Sequence, residues 1–77
     1  MKIKVIRNAY YVSEDLTGLG IVDENTFESS FSILLSKGDV WEENEDGTFN
    51  CIEGKWNGEN SDGWWEWEDV KDYFEVI

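Results

Sequence analysis

The chain predicts a small, mainly β domain: five or six short antiparallel strands forming a strongly bent sheet or barrel, with one short helical turn near the C-terminus. Three observations lead there. Short segments alternate polar and apolar residues, turn dipeptides separate those segments, and proline and low-complexity tracts are absent. A length of 77 residues allows one domain, spanning residues 1–77. A chain this short buries only about 60 % of its unfolded surface. With a single cysteine, disulfides cannot compensate, but five Trp, three Tyr and four Phe can.

Lys2-Ile3-Lys4-Val5-Ile6-Arg7 alternates polar and β-branched residues and reads as a strand. Tyr10, Tyr11 and Val12 either continue it or begin another. Residues 13–30, with Gly18, Gly20 and five carboxylates, form a long loop or a hairpin with an acidic tip. Ser32-Ile33-Leu34-Leu35-Ser36 is a short buried run ended by the turn Lys37-Gly38-Asp39. Val40 and Trp41 resume a strand that ends in Glu42-Glu43-Asn44-Glu45. Asp46-Gly47 is a favoured hairpin dipeptide, in which both residues can take positive φ. Thr48 to Glu53 alternates, with Phe49 and Cys51 on one face. Asn57-Gly58 and Asp62-Gly63 bracket the next reversal. Trp64-Trp65-Glu66-Trp67 follows as a strand, with Trp65 and Trp67 on one side and Trp64 and Glu66 on the other. Glu68 to Asp72 reads as one helical turn with carboxylates near its N-terminus, and Phe74 to Ile77 as a closing strand.

This order of elements resembles the Src-homology-three-like small barrels. Ala9-Tyr10-Tyr11 is similar to that family's opening Ala-Leu-Tyr segment, and residues 13–30 to its long acidic loop. Leu35-Ser36-Lys37-Gly38-Asp39 is similar to its Leu-Ser-Phe-x-x-Gly-Asp turn, and Asp69 to Tyr73 to its short helical turn. The resemblance implies a barrel and, in the peptide-binding members, a groove to which Tyr11 and Tyr73 would contribute. The chain departs from those members in three places. Thr48-Phe49 stands where their tandem Trp begins the central strand, the Trp pair falls one hairpin later, and the Pro before the helical turn is missing.

Charge constrains the partner. Eighteen acidic residues face six basic ones, and three of the basic residues lie within the first seven positions. From Asn8 to Ile77 three basic residues face eighteen acidic ones, a net charge of −15. Such a surface repels nucleic acid and anionic membranes and attracts basic proteins from a distance. No direct nucleic-acid or membrane binding is therefore expected. No stretch is long and apolar enough to span a bilayer, and the N-terminus lacks a signal peptide's apolar segment. The mature chain is expected to begin near Met1, in the cytoplasm, where a lone Cys51 serves as a small core residue.

Chemistry finds no foothold. The chain has no His, no nucleophile motif and no phosphate-cradling glycine loop, so neither catalysis nor a cofactor is expected. Glu42-x-Asn44-x-Asp46-Gly47 through Glu53 has near-calcium-loop spacing. Its flanks read as strands, however, and Gly54 would end the helix that should follow, so no metal is expected either. Alternation leaves either Trp64 or the pair Trp65 and Trp67 exposed, as a binding platform or as a by-product of the fold. Trp41 and Trp56 read as structural.

The expected role is a non-enzymatic binding protein that blocks a basic, nucleic-acid-binding surface of another protein, with carboxylates replacing phosphates. The residues for it are Glu42, Glu43, Glu45, Asp46, Glu59, Asp62, Glu66, Glu68, Asp69 and Asp72, with Trp64, Tyr11 and Tyr73 as aromatic anchors. Short acidic, aromatic-rich chains of this style resemble phage-encoded inhibitors of host nucleases, including anti-CRISPR proteins. The alternative is a barrel module that binds a peptide, or assembles with itself, through an aromatic face. In that case Tyr11, Tyr73 and an exposed Trp would line one groove.

Overall fold

The fold is that of a computed structural model, which describes residues 1–12, 20–26 and 31–77. Seven short strands run in the order β1 (Lys2–Val5), β2 (Ala9–Tyr11), β3 (Ile21–Asp23), β4 (Ser32–Leu35), β5 (Val40–Glu43), β6 (Phe49–Glu53) and β7 (Phe74–Val76). A 3-10 turn at Glu24–Thr26 follows β3. A one-turn helix, α1 (Trp67–Val70), and a second 3-10 turn at Lys71–Tyr73 precede β7. The protein is mainly β and antiparallel, as its alternation predicts. The strands form two sheets, β6-β5-β1-β7 and β3-β2-β4, and no ladder joins these into a closed barrel among the described residues.

Local pattern explains most of this. In β1, Ile3 and Val5 are buried while Lys2 and Lys4 face solvent. In β6, Phe49 and Cys51 are buried and Asn50 and Ile52 exposed. Tyr10 and Tyr11 begin a new strand rather than extending β1. The break is held by the Lys37 N–H, which donates to Asn8 Oδ1 at 2.7 Å, and the Ile6 N–H, which donates to the Tyr73 carbonyl at 2.8 Å. Pairing of β2 with β3 makes the segment after Tyr11 a hairpin. The tip of that hairpin lies outside the described residues.

Two expectations are corrected. Trp64 to Trp67 is not a strand. Trp64 closes a turn in which the Trp64 and Trp65 N–H groups both donate to the Ser61 carbonyl, at 2.9 and 3.2 Å, and Trp67 opens α1. The edge of β6 that this segment would have paired with is already taken by residues 58–61. The Cys51 N–H donates to the Glu59 carbonyl at 2.9 Å and the Ser61 N–H to the Phe49 carbonyl at 2.8 Å. At the other hairpin, Gly47 alone takes positive φ, +87°, and Asp46 does not. Asp46 instead turns its carboxylate onto Thr48, accepting from its N–H at 2.9 Å and its hydroxyl at 2.6 Å. That side-chain turn does locally what a second positive φ would have done.

Both sheets contribute to one core. Ile3, Val5, Trp41, Phe49, Cys51 and Phe74 come from the four-stranded sheet, and Ala9, Leu34 and Leu35 from the three-stranded one. Trp65 sits at the hub. Its ring meets Trp41 edge-on at 5.2 Å, and Phe49 and Phe74 at 5.4 Å each. Trp67 bridges the same two phenylalanines at 5.6 and 5.7 Å. Aromatic burial thus takes the place of the missing disulfides.

Asp39 is a buried charge that positions the long loop after β6. It is 2 % exposed, and its carboxylate accepts from the Lys55 and Trp56 N–H groups at 2.8 and 3.1 Å. Gly54, at φ +106°, allows this approach, because a Cβ there would lie 2.0 Å from Asp39 Oδ1.

Candidate functional site: an aromatic cleft with an acidic rim

Ser61 sets up the site. It is buried, and its hydroxyl accepts the Phe49 N–H at 2.9 Å, clamping the loop to β6. Its carbonyl then turns the chain through Asp62-Gly63, which sends consecutive indoles in opposite directions. Trp65 goes into the core, 7 % exposed, while Trp64 stays 52 % exposed. Trp56, half-buried, braces Trp64 from behind with ring centroids 6.1 Å apart, and Lys55 Nζ lies 5.6 Å over the Trp56 ring.

Trp64 faces Tyr11, itself 48 % exposed, across an open cleft of about 530 Å³ lined also by Ser32, Ile33, Leu34 and Gly63. A second depression of about 260 Å³ shares Tyr11, Gly63 and Trp64 and extends to Ile21, Glu66 and Asp69. Together they have the size range of ligand clefts, the larger walled mainly by aromatic and aliphatic side chains and the smaller partly by the carboxylates of Glu66 and Asp69. Beneath Trp64 a third space of about 10 Å³ is lined by Leu34, Trp41, Trp56, Glu59, Asn60 and Trp65. The indole N–H groups of Trp41, Trp56 and Trp65 are buried without an acceptor among the described residues.

The thirteen residues expected from sequence divide into three places. Tyr11, Trp64, Glu66 and Asp69 line the cleft, with Glu59 beneath Trp64 and Asp62 in the turn beside it. Among the described residues no ion pair engages Glu59, Asp62, Glu66 or Asp69. Glu42, Glu43, Glu45 and Asp46 belong to the β5–β6 hairpin, where charge is partly neutralised. Glu42 lies 3.8 Å from Lys2 Nζ and Glu43 3.7 Å from the N-terminal ammonium. The Thr48 hydroxyl and N–H hold the Asp46 carboxyl below its ordinary range. Glu68 pairs with Lys71 at 3.0 Å, which raises the lysine's pKa chiefly through that hydrogen bond.

Glu68, in α1, forms the third group with Asp72 and Tyr73, in the 3-10 turn that follows it. Tyr73 does not line the cleft. Its ring carries the Arg7 guanidinium at 4.6 Å, and burial, with Asp23 next, pushes its hydroxyl upward in pKa. Tyr11 and Tyr73, the two residues that the family resemblance would place in one groove, therefore do not share this cleft; Tyr11 shares it with Trp64. Sequence reasoning missed Ile21, Ile33 and Leu34 as cleft walls. The short apolar run at 33–35 was legible as buried, but nothing in it marked one edge as open.

The calcium-like spacing falls in a strand–turn–strand hairpin, and the described residues bring no three metal-ligating side chains together. Cys51 is buried, and desolvation, reinforced by the Asp39 charge, pushes its thiol up to about 11. It therefore stays protonated and unreactive near neutral pH. No helix among the described residues is long and apolar enough to cross a membrane. No protein-family model, no curated protein sequence and no solved structure matches this chain.

Proposed function

We propose that this chain is a small, non-enzymatic, cytoplasmic binding protein that blocks a basic, nucleic-acid-binding surface of another protein. The observation that carries this reading is the cleft itself. Exposed Trp64 and Tyr11 stand next to Glu66 and Asp69, with Glu59 and Asp62 close by and no ion pair engaging these carboxylates among the described residues. Duplex DNA carries about one charge per 1.7 Å of its axis. A single strand face presents a side chain only every ~7 Å. Replacing phosphates therefore takes carboxylates from several elements, and here the 54–64 loop and the approach to α1 both supply them. Tyr11 and Trp64 add the apolar contact that charge alone lacks, since tryptophan and tyrosine are frequent binding hot spots. The same mode of action is what the resemblance to phage-encoded nuclease inhibitors implies.

Immobilised protein, exposed to lysate and washed at low and then moderate salt, tests the proposal. A nucleic-acid enzyme retained by the wild type, released by competing DNA or RNA and lost with Glu66→Lys/Asp69→Lys, is the expected result. A retained protein indifferent to salt and to nucleic acid would overturn it. That outcome would favour the second reading, a peptide-binding or self-assembling aromatic module, for which Tyr11 and Trp64 in one cleft already speak.

A further inference from the structure

We infer that the smaller depression receives an arginine side chain of the basic partner, and this rests on the reading just proposed. A guanidinium has two unlike surfaces. Its faces are flat, weakly hydrated and stack on aromatic rings, while its five N–H groups point outward in the plane. A site that fits it therefore offers a ring and hydrogen-bond acceptors together. The depression of about 260 Å³ does so, with Tyr11 and Trp64 supplying rings and Glu66 and Asp69 supplying carboxylates. These groups are not spent elsewhere. Trp64 is 52 % exposed and Tyr11 48 %. Glu66 stands at the N-cap of α1, yet its side chain makes no capping hydrogen bond. Among the described residues no ion pair engages Glu66 or Asp69.

The chain already places its own cations on rings. The Arg7 guanidinium lies 4.6 Å from the Tyr73 ring centre, and Lys55 Nζ lies 5.6 Å from that of Trp56. Both distances are within the range at which a ring face attracts a cation. Lys55 is the cation of the loop that carries Trp64, and it is engaged on Trp56. Among the described residues, which include all six basic ones, no cation lies over Trp64 or Tyr11. The exposed ring is also held in place before any partner arrives. Trp56 backs it with ring centroids 6.1 Å apart, and the Trp64 N–H donates to the Ser61 carbonyl at 2.9 Å. Little side-chain freedom is then left to lose on binding. Chemistry chooses among occupants. A lysine ammonium is compact and strongly hydrated, so it meets the carboxylates but gains less from the ring. An anionic segment, including a second copy of this chain with its net charge of −12, is repelled.

The test uses the full-length, ¹⁵N-labelled protein with two blocked peptides of equal length and charge, hexa-arginine and hexa-lysine, as probes. At low salt the arginine peptide is expected to bind about three- to tenfold more tightly. It is also expected to shift the Trp64 indole signal together with the backbone amides of Glu66 and Asp69. Trp64→Leu keeps an apolar side chain and removes the ring, and is expected to cut that advantage to about twofold or less. Trp64→Tyr keeps a ring and is expected to retain the advantage. Equal affinities in the wild type, an advantage that survives Trp64→Leu, or one lost in Trp64→Tyr as well would overturn the arginine site. If both peptides then still bind at low salt with shifts at Glu66 and Asp69, the acidic binding reading survives that failure. If neither binds at low salt, both readings fall.

Discussion

Asp39 and Gly54 form one mechanical unit, and a double-mutant cycle on them tests how the 54–64 loop, and therefore Trp64, is held. The Asp39 carboxylate accepts two backbone N–H bonds, from Lys55 at 2.8 Å and Trp56 at 3.1 Å. Hydrogen bonds to a charged group contribute about 1.5–3 kcal/mol each, less where the freed donor can reach water. Lys55 is exposed and Trp56 half-buried, so Asp39→Ala should cost about 3 kcal/mol. Against roughly 4–12 kcal/mol for a domain of this length, that is a large share. Gly54→Ala places a Cβ 2.0 Å from Asp39 Oδ1 and 2.9 Å from Asp39 Cα, at a φ of +106°. The strained backbone costs about 1–3 kcal/mol. Displacing the Asp39 carboxylate adds loss of the bonds it makes. With Asp39 already alanine, only the backbone strain and the contact with the Cα remain, so the two costs should fall short of additivity by about 1 kcal/mol or more. Urea denaturation of wild type, both single variants and the double variant, followed by tryptophan fluorescence, measures this. Additivity within about 0.5 kcal/mol would refute the linkage, and a neutral Gly54→Ala would refute the close approach itself.

Three further predictions concern the rest of the chain. Trp65→Ala empties the hub between Trp41, Phe49 and Phe74 and should cost about 3–5 kcal/mol, whereas Trp64→Ala should change stability by less than about 1 kcal/mol; comparable losses in denaturant melts would contradict the burial assigned to the pair. The Cys51 thiol titrates at about 11 when folded, against 9.0 for the free group. The folded state therefore binds its proton more tightly, so this contribution is complete below pH 9 and lost as pH rises towards 11. The difference in stability between wild type and Cys51→Ala should shrink by about 2 kcal/mol or less across that window, and a constant difference would place the thiol in water. With a net charge of −12, self-repulsion opposes compaction and salt screens it; Tm should rise as sodium chloride increases from ~10 to ~150 mM, and a steady fall would show that the few ion pairs matter more than the bulk repulsion.

Much of the fold was legible because it follows from local pattern. Alternation identified β1 and β6 and their buried faces, and the turn dipeptides marked where the chain reverses. Even where the strand at Trp64 to Trp67 proved wrong, the alternating burial it implied held for Trp64 and Trp65, since consecutive side chains diverge in a turn as they do in a strand. The terminal helical turn was visible too, in acidic residues placed ahead of the apolar Val70. Asp39 was legible only as part of a turn. Its burial depends on the Lys55 and Trp56 N–H groups, sixteen and seventeen positions away, and no local pattern announces a partner that distant.

By itself, then, the amino-acid sequence determined the β class, the aromatic core and the sign of the net charge. These are sums over residues or short periodicities, which survive without knowledge of what lies next to what. Only the tertiary structure decided that the strands divide into two sheets, that residues 58–61 rather than 64–67 take the edge of β6, and that Tyr11 and Trp64 share one cleft. Those outcomes arise from competition for a limited number of strand edges and for space around Trp65. Such a competition is settled by contacts between residues far apart in the chain, all formed at once.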